Sequence, residues 1–253
     1  MFRKRGGSHP EFFSAEAAGL RWLAAGGAPV ARVLDVGSDF IELERVPPGR
    51  ASVPAARKLG GALARMHSAG VDGEEFGCPP ADYNGQLFIG KRPMSSKRHA
   101  NWGAFYVAER VLPFAEIAVA AGSVSTAEFA DVERAGAVVA GGAFDDAEPP
   151  SRIHGDLWNG NVLWSPDGAV LIDPAAHGGH RETDLAMLDL FGCPHLSEVV
   201  AGYESVHPLR AGWESRVPLH QLHPLAVHAA GYGRSYGAAL HRAALAVLRL
   251  RPP

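Results

Sequence analysis

An aspartate, an asparagine five residues later and a second aspartate twelve residues after that stand in His154-Gly155-Asp156-Leu157-Trp158-Asn159-Gly160-Asn161 and Val170-Leu171-Ile172-Asp173. Phosphoryl transfer from ATP calls for such a set. One carboxylate orients the attacking hydroxyl and accepts its proton, and hard oxygen donors hold Mg²⁺ against the phosphates. Asp156 is the candidate catalytic base, and Asn161 and Asp173 are the candidate Mg²⁺ ligands. In a loose transition state the hydroxyl proton leaves late, so Asp156 must be well placed rather than strongly basic. His-Gly-Asp and Asn-Gly-Asn are each ordinary turn sequences, and Asp-Pro is an ordinary strand stop. Their joint occurrence in this order carries the reading. His154 is expected to support the loop through a hydrogen bond and to transfer no proton.

The flanking runs place these residues. Arg152-Ile153 leads into the loop and Val162-Leu163-Trp164 leaves it. Ser165-Pro166-Asp167-Gly168 turns the chain into Ala169-Val170-Leu171-Ile172. Asp156 and Asn161 then share a loop, and Asp173 ends the next strand on the same edge. Upstream, Ser14 as N-cap and an apolar face of Ala17, Leu20, Leu23 and Ala24 predict a helix over 14–25, ended by Gly26-Gly27. Residues 33–36 and 40–44 read as strands about a Gly37-Ser38-Asp39 turn. Pro47-Pro48-Gly49 breaks the pattern and is taken as the boundary between a lobe of residues 1–47 and one of 48–253. Leu59, Leu63 and Met66 predict a helix over about 53–68. Trp102 to Glu109 predicts a helix that bends or ends near Pro113. Thr126 is expected to cap another, with Phe129, Val132 and Val139 inward. Residues 141–151 read as a surface loop, and 184–191 as a helix stopped by Gly192. The remainder is helical with Gly and Pro interruptions. A small strand-containing lobe before a mainly helical one is an α+β, bilobal arrangement.

The run from His154 to Gly192 closely resembles the fructosamine kinase (ketosamine-3-kinase) family, akin to the aminoglycoside and choline kinases. Trp158 is the telling residue, because His-Gly-Asp-Leu-Trp is the fructosamine kinase form. The resemblance continues at 16–23, 60–67 and 218–225, and so covers nearly the whole chain. It implies a protein-kinase-like fold with ATP between the lobes. It implies that Lys4 and Glu16 are the ion pair that positions the α- and β-phosphates. Unaided, Lys4 reads as a solvated charge and Glu16 as a partner of the helix dipole. It implies that Glu44 to Val46 form the hinge whose backbone meets the adenine, and that Asp184 accepts backbone N–H groups of the catalytic loop. Trp158 becomes an apolar wall for a sugar ring. The implied activity is ATP- and Mg²⁺-dependent phosphorylation of a ketosamine hydroxyl, on free or protein-bound adducts, with deglycation of proteins as the biological sense.

Two other readings stand beside it. An aminoglycoside- or choline-type phosphotransferase would want an acidic pocket, and the chain beyond residue 195 is not notably acidic. A catalytically idle nucleotide-binding relative is favoured by one departure. Met1-Phe2-Arg3-Lys4 resembles the end of the family's third strand, and the first two strands with their phosphate-covering loop have no counterpart before it. That departure predicts low turnover and an exposed strand edge prone to self-association. The joint presence of Asp156, Asn161 and Asp173 argues for an active enzyme.

Composition removes other classes. Of 253 residues, 47% are hydrophobic and 20% charged, with a net charge of −3; this is a globular balance without the basic excess of a nucleic-acid binder. No apolar run spans a bilayer, and Arg3-Lys4-Arg5 is followed by no apolar signal segment. Cys78 and Cys193 read as reduced structural thiols, which fits the cytoplasm. His177, His180, His220, His223 and His228 raise the question of zinc. No Cys or carboxylate falls at a helpful interval, so they are read as structural or substrate-lining.

Overall fold

Alternating burial along Phe40-Ile41-Glu42-Leu43 sets the geometry of the N-terminal part: Ile41 and Leu43 are buried and their neighbours are not. The computed structural model describes residues 1–7 and 9–251. Strand β1 (Phe2–Arg5), helix α1 (Phe12–Ala25), β2 (Val33–Val36) and β3 (Phe40–Leu43) come first, and the antiparallel sheet has the order β1-β3-β2. Ile41 and Leu43 pack with Phe13, Ala17 and Leu20 of α1. Helix α1 begins two residues earlier than expected, because the buried Phe13 anchors its first turn. Ser14 therefore lies inside the helix, and its Oγ donates to the Glu11 carbonyl (2.9 Å) instead of capping.

Helix α2 (Val53–Ser68) has the predicted bounds, with Ser52 accepting from the Ala55 N–H at 3.4 Å. A Cβ on its Gly60 would lie 1.8 Å from the Val199 carbonyl oxygen, and one on Gly202 would lie 2.1 Å from that of Arg57. Two glycines thus let α2 cross a later helix backbone against backbone. Next comes a short hairpin, β4 (Leu87–Ile89) and β5 (Arg92–Met94), which has no counterpart among the sequence expectations. Helix α3 (Trp102–Phe105) runs through a π-helical turn, Tyr106–Val111, into α4 (Leu112–Ala120). Pro113 sits in the first turn of α4, where a missing N–H is tolerated, so the expected break is a widened turn instead. Helix α5 (Thr126–Ala140) is capped by Ser125, not Thr126, in a reciprocal box with Glu128. Val132 and Val139 are buried, and Phe129 is half-buried.

The catalytic stretch follows as β6 (Ser151–Ile153), β7 (Val162–Ser165), β8 (Gly168–Leu171) and β9 (His177–Gly179), with β6 paired to β9 and β7 to β8. Helices α6 (Glu182–Leu190), α7 (Leu196–Glu204), α8 (Trp213–His220), α9 (Leu222–Tyr232) and α10 (Arg234–Val247) complete the chain. Leu59, Leu63, Leu171, Leu188 and Tyr203 belong to a core beneath the β7-β8 hairpin. Phe105, Phe114, Val132, Leu225 and Leu240 belong to a second helical core. Among the described residues no helix is long and apolar enough to cross a membrane.

Candidate active site

The hairpin β7-β8 pairs Val162 with Leu171, so the residues just outside it, Asn161 and Ile172, come together; the Ile172 N–H donates to the Asn161 carbonyl at 3.1 Å. A 3-10 turn, Asn159–Asn161, carries the chain back from Asp156 to this point. The Asn161 side-chain amide donates to the Asp156 carbonyl at 2.8 Å, to the Asp156 carboxylate at 3.1 Å and to the Asp173 carbonyl at 3.4 Å. One buried amide therefore ties both aspartates together through its nitrogen, and its Oδ1 takes no part in these three bonds. Asp173 has φ +53°, a left-handed conformation that Asp tolerates better than most residues.

Lys4 of β1 donates to Glu16 of α1 at 2.7 Å and also contacts the Asp173 carboxylate. The expected Lys–Glu pair is thus formed, and it reaches the second aspartate. A cavity of about 360 Å³ is lined by Lys4, Glu16, Asp156, Trp158, Asn161 and Asp173. Glu44 and Val46 are not among its lining residues. The Glu44 N–H is already donated to the Arg32 carbonyl (2.8 Å), and its carboxylate pairs with Arg32 at 3.1 Å.

Asp156 is half-buried and lines the cavity. Burial pushes its carboxyl up to about 7; the Asn161 hydrogen bond opposes that rise and the nearby Asp184 charge adds to it. Asp184, in the first turn of α6, accepts the N–H groups of His154 (2.7 Å) and Gly155 (3.0 Å) and faces His67 Nε2 at 3.1 Å. Burial alone would raise its carboxyl, but the His67 hydrogen bond and charge prevail and hold it below the usual range. His67 in turn meets the Tyr203 hydroxyl at 2.8 Å. The His154 Nδ1 accepts from the Asp156 N–H (3.3 Å), so its Nε2 carries the proton and donates to the Ile172 carbonyl at 3.0 Å. Burial lowers the pKa of this ring and keeps it neutral. Through these two bonds the ring makes the hydrogen-bonded contact to the loop that was expected of it.

Trp158 is 37% exposed and meets Phe191 in an edge-to-face arrangement, with ring centroids 5.8 Å apart. A Cβ on Gly160 would lie 2.3 Å from the indole, so that glycine makes room for the ring to fold back. Phe191 packs tilted against His228 with centroids 4.6 Å apart, and His228 likewise against Tyr232 at 5.4 Å. This aromatic wall was not foreseen beyond Trp158. The spacing His228, Tyr232, Tyr236 along the last two helices was the available signal. The β4-β5 hairpin closes the cavity from the other side with Phe88 and Ile89. Its Gln86 N–H donates to the Glu11 carboxylate at 3.1 Å, and Arg92 donates to the Ala230 carbonyl at 2.7 Å.

The histidines need one correction. His180, Glu182 and His220 bring ligand atoms within 4.8 Å of one another, so a carboxylate does stand beside them. Arg216, however, donates twice to Glu182, at 3.0 and 2.6 Å, and His180 faces Asp146 at 3.3 Å. The cluster is a buried ion-pair network with a guanidinium where a cation would sit. It also explains why the 141–151 segment is not a plain surface loop: Asp146 and Glu148 turn inward to His180 and Arg181.

A model of the fructosamine kinase family matches residues 3–249. A probable ketoamine kinase of Klebsiella aerogenes is 33% identical over 226 residues, which are 87% of this chain and 75% of that protein. A probable ketoamine kinase of Thermus thermophilus is 32% identical over 238 residues, 92% of this chain and 82% of the other. A crystal structure described as a candidate fructosamine-3-kinase from Thermobifida fusca YX-ER1 has a TM-score of 0.90 at 43% identity, covering 98% of this chain and 85% of that one. An aminoglycoside phosphotransferase matches with a TM-score of 0.62 at 17% identity over 94% of this chain and 83% of its own, which shows a shared kinase-like α+β fold and no more.

Proposed function

The chain belongs to the fructosamine kinase family, and we propose that it transfers the γ-phosphoryl group of ATP to a sugar hydroxyl of a ketoamine. The observation that carries the reading is the Asn161 amide joining Asp156 and Asp173 in a cavity that also holds the Lys4–Glu16 pair. Asp156 orients the hydroxyl and takes its proton. With a carboxyl near 7, it is a competent acceptor close to neutrality. Lys4, held by Glu16, meets the α- and β-phosphates. Asn161 Oδ1 and the Asp173 carboxylate are hard oxygen donors that suit Mg²⁺. The ion, when bound, neutralises charge on the phosphates. The Glu44–Val46 stretch, through the Glu44 carbonyl and the Val46 amide, meets the adenine, and the lobes divide at Pro47. Trp158 covers the sugar.

Transfer of phosphate from ATP to a fructosamine or ribulosamine, followed by mass spectrometry of the product, tests this. Choline and an aminoglycoside serve as competing acceptors. Phosphorylation of either competitor, with no ketoamine product, would sink the proposal.

A further inference from the structure

Arg110 is 1% exposed, and among the described residues no carboxylate forms an ion pair with it. The neighbouring Glu109 charge favours the cation against the cost of burial, but no carboxylate of the described residues touches it directly, so its hydrogen bonds matter. Its Nε donates to His177 Nε2 at 3.3 Å, and its Nη1 donates to the carbonyls of Ser95 (3.0 Å) and Glu109 (2.9 Å). His177 lies in β9 opposite Ile153 of β6, and its Nδ1 donates to the Ala175 carbonyl at 2.8 Å. That carbonyl, two residues beyond Asp173, packs under Gly155. A Cβ on Gly155 would lie 2.3 Å from the Ala175 oxygen and 3.1 Å from the His177 ring. Gly155 immediately precedes Asp156. An unbroken series of contacts thus runs from Arg110 through His177 and Ala175 to both aspartates.

The π-helical turn Tyr106–Val111 supplies the geometry. Tyr106 and Arg110 both point inward from it, and the Tyr106 hydroxyl is fixed between the His220 carbonyl (2.8 Å) and the His223 N–H (3.0 Å). Such turns often mark functional positions.

We propose that Arg110 is a positioning residue for phosphotransfer, which through His177 fixes the Ala175 carbonyl and so the placement of Asp173 relative to Asp156. The inference rests on the kinase reading above. Burial and the Arg110 charge hold the His177 ring far below its usual pKa, so Nε2 stays an acceptor and Nδ1 a donor. Lysine would keep the charge at 110 but lacks the planar Nε–H that points at His177.

Arg110→Lys, His177→Gln and His177→Phe in the full chain test it. Gln retains a donor and an acceptor, whereas Phe retains packing alone. Arg110→Lys and His177→Phe should each lower kcat by about tenfold or more, with KM for ATP and ketoamine within about twofold. His177→Gln should recover most of the lost kcat. The Arg110→Lys/His177→Phe double variant should be no slower than the slower single, because both cut one link. Multiplying losses, or an unchanged kcat in folded Arg110→Lys, would overturn the proposal. Should Arg110→Lys not fold, equal kcat in the two His177 variants would overturn it.

Amide hydrogen exchange gives a readout that does not depend on activity. Exchange in residues 154–176 should quicken in Arg110→Lys and His177→Phe, while α7 stays at the parent rate; uniform acceleration would mean a merely structural role. Failure of the parent to phosphorylate any ketoamine would defeat the functional reading, and exchange would still decide whether Arg110 holds this segment.

Discussion

The Asn161 side-chain amide lies 3.1 Å from the Asp156 carboxylate, so the candidate metal ligand also tunes the candidate base. It favours the ionised form of Asp156, against the burial that pushes the carboxyl up to about 7. The parent kcat/KM should therefore rise with pH through about 7, as the carboxylate forms. In Asn161→Ala the opposing hydrogen bond is gone, and this limb should move to higher pH while activity falls about a hundredfold or more. A pH–rate profile of each protein reads both effects. An unmoved limb would separate the two residues.

Asp156→Asn should lower turnover by about a thousandfold and alter stability with a definite sign. The folded pKa lies above the ordinary Asp value, so the folded state holds the proton more tightly than the unfolded state does. The associated stability is full below about pH 4 and is lost as pH rises through about 7. Asparagine does not titrate. The variant should gain on the order of 4 kcal/mol over the parent at pH 8 and almost nothing near pH 4. Denaturant melts at the two pH values measure this, and parallel behaviour at both would refute a raised carboxyl.

Mg²⁺ should tighten ATP binding, and Asp173→Ala should remove most of that gain. Calorimetric titration of ATP with and without Mg²⁺ compares parent and variant. The same metal dependence in both would take Asp173 out of the ligand set. The variant also frees Lys4 from one carboxylate, so metal-free ATP binding should not fall.

Trp158→Ala should raise KM for the ketoamine about tenfold and leave that for ATP within about twofold, the loss expected for one aromatic face. Its partner Phe191 stands behind it at 5.8 Å, and Phe191→Leu should give a smaller change in the same direction. Initial rates with each substrate varied in turn provide the comparison. A rise confined to ATP would place the indole on the nucleotide side.

Much of the site could be read from residue order because its parts are close in sequence. Asp156, Asn161 and Asp173 sit on one hairpin and its entry loop, and local hydrophobic runs fix that hairpin. The Lys4–Glu16 pair needed the family resemblance, since nothing local distinguishes that lysine from Arg3 and Arg5. Contacts between distant segments were not legible. Glu182 meets His220 and Arg216 only after folding, so sequence spacing offers no carboxylate for the histidines. The aromatic wall joins Trp158 to Phe191 and His228 for the same reason. The β4-β5 hairpin was missed because its strands have three residues each, too few for alternation to register. The start of α1 moved because the burial of Phe13 outweighed the capping preference of Ser14.

The β4-β5 hairpin holds α1 at one end, through Glu11 and the Gln86 N–H, and α9 at the other, through Arg92 and the Ala230 carbonyl. Both helices line the cavity, α1 with Phe12 and Glu16 and α9 with His228 and Tyr232. Any motion that draws them apart to admit or release a ligand must carry the hairpin with one helix and break its bond to the other. On the α1 side the bond is reinforced by Phe88 against Phe12, ring centroids 5.5 Å apart, so the hairpin is tied more heavily to α1 than to α9 and acts as a tether on any breathing of the cleft.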